Sequence, residues 1–379
     1  MKLQPLFVFW CFWFLNFSTR TVFSPLLPLI EDNLSLSHGA AGGLFTSYAV
    51  GYGLALLVTG RFASVWGYKR VVVFGFMSIT LVLVVLQWVR NYLPFQLLVF
   101  LLGSSSGTYI PSILPIITET YDNKHWGKTI GFHDSAASFS IFSIPLLVAF
   151  GLHYFSWREL LLFLGIASLL LPMLFWKVSI EPKKETSRQE SHYVDLFKRK
   201  PVWIMGLLWI FSTASNMGVY SILPLYLIKE QGIGFDIANT LFGISRIGGI
   251  FISIFVGFLA DRYGYRAMLM ASLLTTGLST IALSLSSTLT LILITLILQA
   301  TFSLAFFPIG LVTISKLTPL SERSMATGVI ISIGMIFGAG FTPFLLGLIA
   351  DHFNFQVGIF GLGVLTTLSS LSVRFLGEE

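Results

Sequence analysis

GRFASVWGYKR at residues 60–70 and GFLADRYGYR at residues 257–266 are two versions of one short loop, 197 residues apart, and each separates two apolar runs. In both, a glycine opens the stretch (Gly60, Gly257) and a second follows seven residues later (Gly67, Gly264). Basic residues close it: Lys69 and Arg70 in the first copy, Arg266 in the second. The same register recurs further out. Pro111 matches Pro308 at 197 residues, Pro28 matches Pro224 at 196, and Gly165 matches Gly363 at 198. A common offset over four helices identifies an internal duplication. Parallel repeats about an axis along the membrane normal build two bundles around a central cavity, the geometry of alternating access.

The composition says what those runs are. Of 379 residues, 55% are hydrophobic, 15% aromatic and only 11% charged, against roughly 25% charged in a soluble domain. Mean hydropathy is +0.84. No soluble core hides that much apolar surface, so the solvent is lipid. Twelve spans across 379 residues leave about 32 residues for each helix and loop, where a span needs about 20. Apolar runs do fall twelve times, from 6–30 to 355–376, with the eighth at 237–260. The expectation is an all-α membrane protein: twelve transmembrane helices in two six-helix bundles, 1–180 and 201–379. The polar stretch EPKKETSRQESHYVDLFKRK at 181–200 joins them as a cytoplasmic linker. This excludes a soluble enzyme, a nucleic-acid binder and a disulfide-stapled secreted domain. The single cysteine, Cys11, cannot form an intramolecular disulfide. The first apolar run mimics a signal peptide, but no small-residue cleavage site follows it, and it is expected to be retained as a helix.

The net charge of +6 is a topology signal. With the N-terminus inside, the far side holds only Arg90, Arg158 and Lys229, and Arg20 and Arg246 fall within spans. Every other Lys and Arg is cytoplasmic, which the positive-inside rule demands. Both termini are therefore expected in the cytoplasm, with the chain in the cell (inner) membrane.

These residues make the chain resemble the major facilitator superfamily of secondary transporters over essentially its whole length. The superfamily's loop signature, roughly G-x-x-x-D-R-x-G-[RK]-[RK], is nearly intact in the second copy: Gly257, Asp261, Arg262, Gly264 and Arg266. In the first copy Ser64 stands where the acid is expected. The resemblance implies a gating role for Asp261, Arg262, Gly257, Gly264, Gly60 and Gly67, with the acid helping to latch the cytoplasmic side. Trp157 and Arg158 at the start of the sixth helix are also similar to the family. The stretch NFSTRTVFSPLLP at 16–28 resembles the first helix of organic-anion and organophosphate members, where an Arg contacts the substrate's negative group.

A charge at mid-membrane costs roughly 2.5–3.5 kcal/mol on insertion scales, so each one needs a reason. Span interiors hold Arg20, Asp134 and Arg246. Arg20 is about 21 Å along its helix from Leu6, and Arg246 about 14 Å from the outer end of its own. A guanidinium offers bidentate geometry to carboxylate or phosphate, and two of them clamping one anion would draw the bundles together. The alternatives left open are a structural pair between Arg246 and Asp134, and a neighbouring carboxylate for Arg20. His133 and Asp134, an adjacent imidazole and acid in low dielectric, are candidates for proton coupling, although they point about 100° apart on a helix. For Asp134 helix-end polarity, and for His133 plain packing, are the competing readings. Asn216, Tyr48, Tyr52 and Tyr220 are candidate ligand contacts, with packing or interfacial anchoring as the alternative. Tyr48 and Tyr52 share a face.

No G-x-x-x-x-G-K-[ST] pattern occurs, and among the six histidines only His133 is within a span. No ATP-driven step, haem, metal or other cofactor is expected. The expected function is secondary active transport of a small organic anion, a carboxylate or phosphate ester, coupled to protons, by a monomer with a rocker-switch cycle. The alternative is an exporter of hydrophobic compounds or drugs in which the arginines are structural.

Overall fold

The computed structural model describes residues 3–182, 198–318 and 323–376. Most of the expected linker, residues 183–197, lies outside the described residues. Eleven helices among the described residues are long and apolar enough to cross a membrane. They are α1 (Leu3–Leu34), α2 (His38–Trp66), α3 (Tyr68–Val85), α4 (Tyr92–Thr120), α5 (Trp126–Gly151), α6 (Trp157–Val178) and α7 (Lys200–Glu230). After α8 come α9 (Tyr265–Ser284), α10 (Leu289–Leu317), α11 (Met325–His352) and α12 (Phe355–Phe375).

Helix α8 corrects the sequence expectation of one continuous run over 237–260. It is in two pieces, Phe235–Ile244 and Ile247–Tyr263, and Arg246 stands at the N-cap position of the second with no side-chain capping bond. At the break the Arg246 N–H donates to the Gly243 carbonyl, and the Gly249 N–H to that of Arg246. These three-residue turns replace α-helical bonds where Gly243, Gly248 and Gly249 already weaken the helix. In α1 the interruption is smaller, a single turn at Val22. Pro25 has no N–H to give the Thr21 carbonyl, yet the chain stays helical through Pro28 to Leu34.

The chain divides into two compact units, Met1–Ser35 with Ser47–Ser187, and Leu36–Thr46 with Arg188–Glu379. The division cuts through α2, and the reason is chemical. The Asp351 carboxylate accepts from the backbone N–H groups of His38 (2.8 Å) and Gly39 (2.9 Å), filling the orphan donors at the start of α2. About two turns further on, Thr46 donates to the Gly340 carbonyl at 2.9 Å.

In the first unit the core is aromatic. Phe9, Phe12, Phe76, Tyr109 and Phe175 are buried together, with the rings of Phe12 and Phe76 4.3 Å apart. In the second, Trp209, Phe306, Ile309 and Ile330 hold the corresponding position. The duplication persists at the level of single contacts. Lys69 donates to the Ser179 carbonyl at 2.9 Å, and Arg266 donates to the carbonyl of Leu376. Both members of the second pair are 197 residues beyond those of the first.

The second unit departs from regular α-helix in α7, at the π-helical turns Ala214–Gly218 and Tyr226–Glu230, and in α11, at Gly334–Phe341. The first and last of these pack on each other. A Cβ on Gly338 would sit 2.5 Å from the Ile210 carbonyl oxygen, so only glycine allows that approach.

Candidate functional site

In the first unit α1 supplies most of the polar groups. Asn16 donates to the Ser106 carbonyl at 3.1 Å, and Thr19 Oγ1 lies 2.9 Å from both Ser106 Oγ and Tyr48 Oη. Tyr48 and Tyr52 do share a face, their rings stacked at 6.2 Å. Arg20, the residue after Thr19, is half-buried.

His133 and Asp134 diverge as their spacing on α5 requires. Buried His133 bonds the Tyr109 hydroxyl through Nε2 at 3.1 Å, and that hydroxyl donates to the Phe9 carbonyl at 3.0 Å. Asp134 accepts the indole N–H of Trp13 at 3.3 Å. Trp13 touches both, because its ring also lies flat against the imidazole, 5.7 Å between centroids and 12° apart. Nothing in the sequence distinguished Trp13 from the other aromatic residues of α1.

The second unit is organised around Arg246, which is 4% exposed. Its Cζ lies 4.8 Å from the ring centroid of Tyr220 and 5.6 Å from that of Phe242. The two rings are themselves 4.4 Å apart. Its Nε and Nη2 are buried with no hydrogen-bond partner. Two aromatic faces replace part of the lost hydration, at about 2 kcal/mol for a desolvated cation–π pair. They do not replace an anion. Asn216, one turn before Tyr220 on α7, donates through Nδ2 to Ser303 Oγ at 2.8 Å, and its Oδ1 has no partner. Two amides that sequence reasoning passed over are orphaned in the same way: Gln299 on α10 at its Oε1, with its nitrogen on the Ser215 carbonyl, and Asn239 on α8 at its Oδ1. The signal for Gln299 was there, a lone amide in the apolar run at 289–300.

The loop glycines are of two kinds. Gly67 and Gly264 adopt φ of 109° and 87°, which L side chains avoid. Gly60 and Gly257 have nothing within 4 Å of a built Cβ. Asp261 accepts from the Tyr265 hydroxyl at 2.7 Å, and Arg262 lies 5.4 Å over the Tyr263 ring. The first loop, lacking the acid, is capped from elsewhere: Glu181 accepts from the N–H groups of Tyr68 (2.6 Å) and Lys69 (3.1 Å).

The family model of the Major Facilitator Superfamily matches residues 9–264 and 210–379. The chain belongs to that superfamily. It is 25% identical over 361 residues to the MFS-type transporter YuxJ of Bacillus subtilis (strain 168), covering 90% of this chain and 91% of that one. It is 20% identical over 400 residues to a probable L-galactonate transporter of Escherichia coli (strain K12), covering 96% and 87%. A solved structure of the nucleoside transporter NupG superposes with a TM-score of 0.86 at 14% identity, over 99% of this chain and 100% of that one, and so shares the fold. This member of the superfamily is thus a multi-pass membrane protein and a secondary transporter, not an enzyme.

Proposed function

We propose that this transporter carries a small organic anion, a carboxylate or phosphate ester, together with protons. The observation that carries the reading is Arg246: a buried guanidinium with two partnerless nitrogens between two aromatic rings. Leaving an ionised group so deep without a counter-charge costs several kcal/mol, and a negative substrate removes that cost. Arg20 is the corresponding contact in the first unit, with Tyr48, Tyr52, Asn216 and Tyr220 as neutral contacts. Asp134, with His133 beside it on α5, carries or gates the proton. Asp261 and Arg262, with the loop glycines, gate the cytoplasmic side of the cycle. The L-galactonate relative transports an organic acid by its name, in keeping with this substrate class. The excess of Lys and Arg in alternate loops supports an inner-membrane location with both termini in the cytoplasm.

The test is a thermal-shift screen of the purified protein against carboxylates, phosphate esters, neutral sugars and lipophilic cations. Uptake by proteoliposomes with and without an inward proton gradient follows. Binding to the folded state raises its melting temperature by mass action. Stabilisation by anions, and uptake that rises with the gradient, is the expected outcome. A list of hits made only of neutral sugars or lipophilic cations overturns it.

A further inference from the structure

The seam formed by α7, α8 and α10 holds three amide side chains that are each pinned by the nitrogen and left open at the oxygen. Asn216 donates to Ser303 Oγ (2.8 Å), Gln299 to the Ser215 carbonyl (2.6 Å) and Asn239 to the Phe235 carbonyl (3.3 Å). The partners of Gln299 and Asn239 are carbonyls, which only accept, so neither amide can be turned round without setting oxygen against oxygen. The oxygens of all three are buried and have no donor. Phe242, three residues after Asn239 on the first piece of α8, lies against both Tyr220 and Arg246, and Gln299 bonds the carbonyl of Ser215, the neighbour of Asn216. The three amides are thus grouped around the elements that carry Tyr220 and Arg246.

The equivalent place in the first unit is closed. Ser106 is 197 residues before Ser303, and its hydroxyl, that of Thr19 and that of Tyr48 satisfy one another at 2.9 Å. Buried amide oxygens without donors are rare, because each costs a desolvation penalty that a hydrogen bond would offset. Arg246 does not supply those donors: its Nε and Nη2 are without acceptors while the three oxygens are without donors. What satisfies both is a molecule that accepts at one end and donates at the other.

We infer that this seam is a subsite for hydrogen-bond donors, so that the cargo is an anion bearing hydroxyl or N–H groups beside its negative centre. In this arrangement Arg246 takes the carboxylate or phosphate. The oxygens of Gln299, Asn216 and Asn239 accept from the neighbouring donors. The inference rests on the anion reading above and narrows it.

The experiment measures binding to the purified full-length protein by thermal shift with matched pairs: D-gluconate and hexanoate, lactate and propionate, mandelate and phenylacetate, glycerol 3-phosphate and propyl phosphate. In each pair the anion is kept and the hydroxyl groups differ. The expected result is at least tenfold tighter binding of the hydroxylated member in every pair that binds, falling towards equality in Gln299→Met. Should Gln299→Met fail to fold, Asn239→Leu gives the same readout, and the wild-type comparison needs neither variant. Equal binding within pairs overturns the donor subsite and leaves the anion reading standing. Binding of no anion in any pair overturns both.

Discussion

Arg246 and Tyr220 form a cation–π pair, Cζ 4.8 Å from the ring centroid, in which the cation is buried and two of its nitrogens are without hydrogen-bond partners. A group held this way serves binding more than folding. Arg246→Met, which keeps the length and removes the charge, should therefore abolish uptake while leaving the melting temperature of the unliganded protein unchanged or raised. Removing one partner from a built-in ion pair would instead cost about 3–5 kcal/mol. A melting temperature lowered by that much would show that Arg246 is structural.

Fork geometry is the next point. Lysine keeps the charge but loses the planar pair of donors. Arg20→Lys and Arg246→Lys should each reduce substrate affinity at least tenfold in proteoliposome uptake. Normal transport by the double variant would remove the guanidiniums from the substrate site.

The ring beneath the guanidinium can be tested alone. Tyr220→Phe keeps the aromatic face and should retain most of the binding, whereas Tyr220→Leu removes the ring that positions the guanidinium and should weaken anion binding at least tenfold. Equal affinities for the two variants would sink the assignment.

Asp134 is the acid assigned to the proton. Asp134→Asn still accepts the Trp13 indole N–H, so the fold is kept. Uptake driven by a pH gradient should disappear, while counterflow without a gradient persists. If gradient-driven uptake survives in Asp134→Asn, the proton travels by another route.

Two glycines of the first loop should behave oppositely. Gly67 has φ of 109°, and alanine there costs about 1–3 kcal/mol. Gly60 is inside α2 with open space around a built Cβ, and Gly60→Ala should leave stability unchanged or raise it by about 0.5–1 kcal/mol. Thermal melts of the two variants decide between this and a shared packing role.

Much of the fold was legible because lipid imposes simple rules. Long apolar runs, the repeat register and the distribution of Lys and Arg each point to one architecture, and the register is visible even in the Lys69–Ser179 and Arg266–Leu376 contacts. The break in α8 was harder to see, since SRIGGIFISIFVG is as apolar as a regular span and helix breaking by glycine is a matter of context. At the candidate site, rarity marked Arg20, Arg246 and Asp134, because charge in a span is costly wherever it points. Trp13 carried no such mark among the many aromatic residues of this chain, and its link to both His133 and Asp134 exists only once α1 and α5 are packed together. Asn239 and Phe242 were hidden for the same reason, as their meaning depends on what faces them.

Asn216 lies in the π turn Ala214–Gly218. Such a turn holds one surplus residue, and it can migrate along a helix like a dislocation, each step rotating the side chains it passes by about 100°. The Asn216 carbonyl can thus be swung away from its neighbours while both ends of α7 stay where they are. A helix with this defect can change what it offers a passing molecule without unwinding, and an uninterrupted α-helix at that position could not.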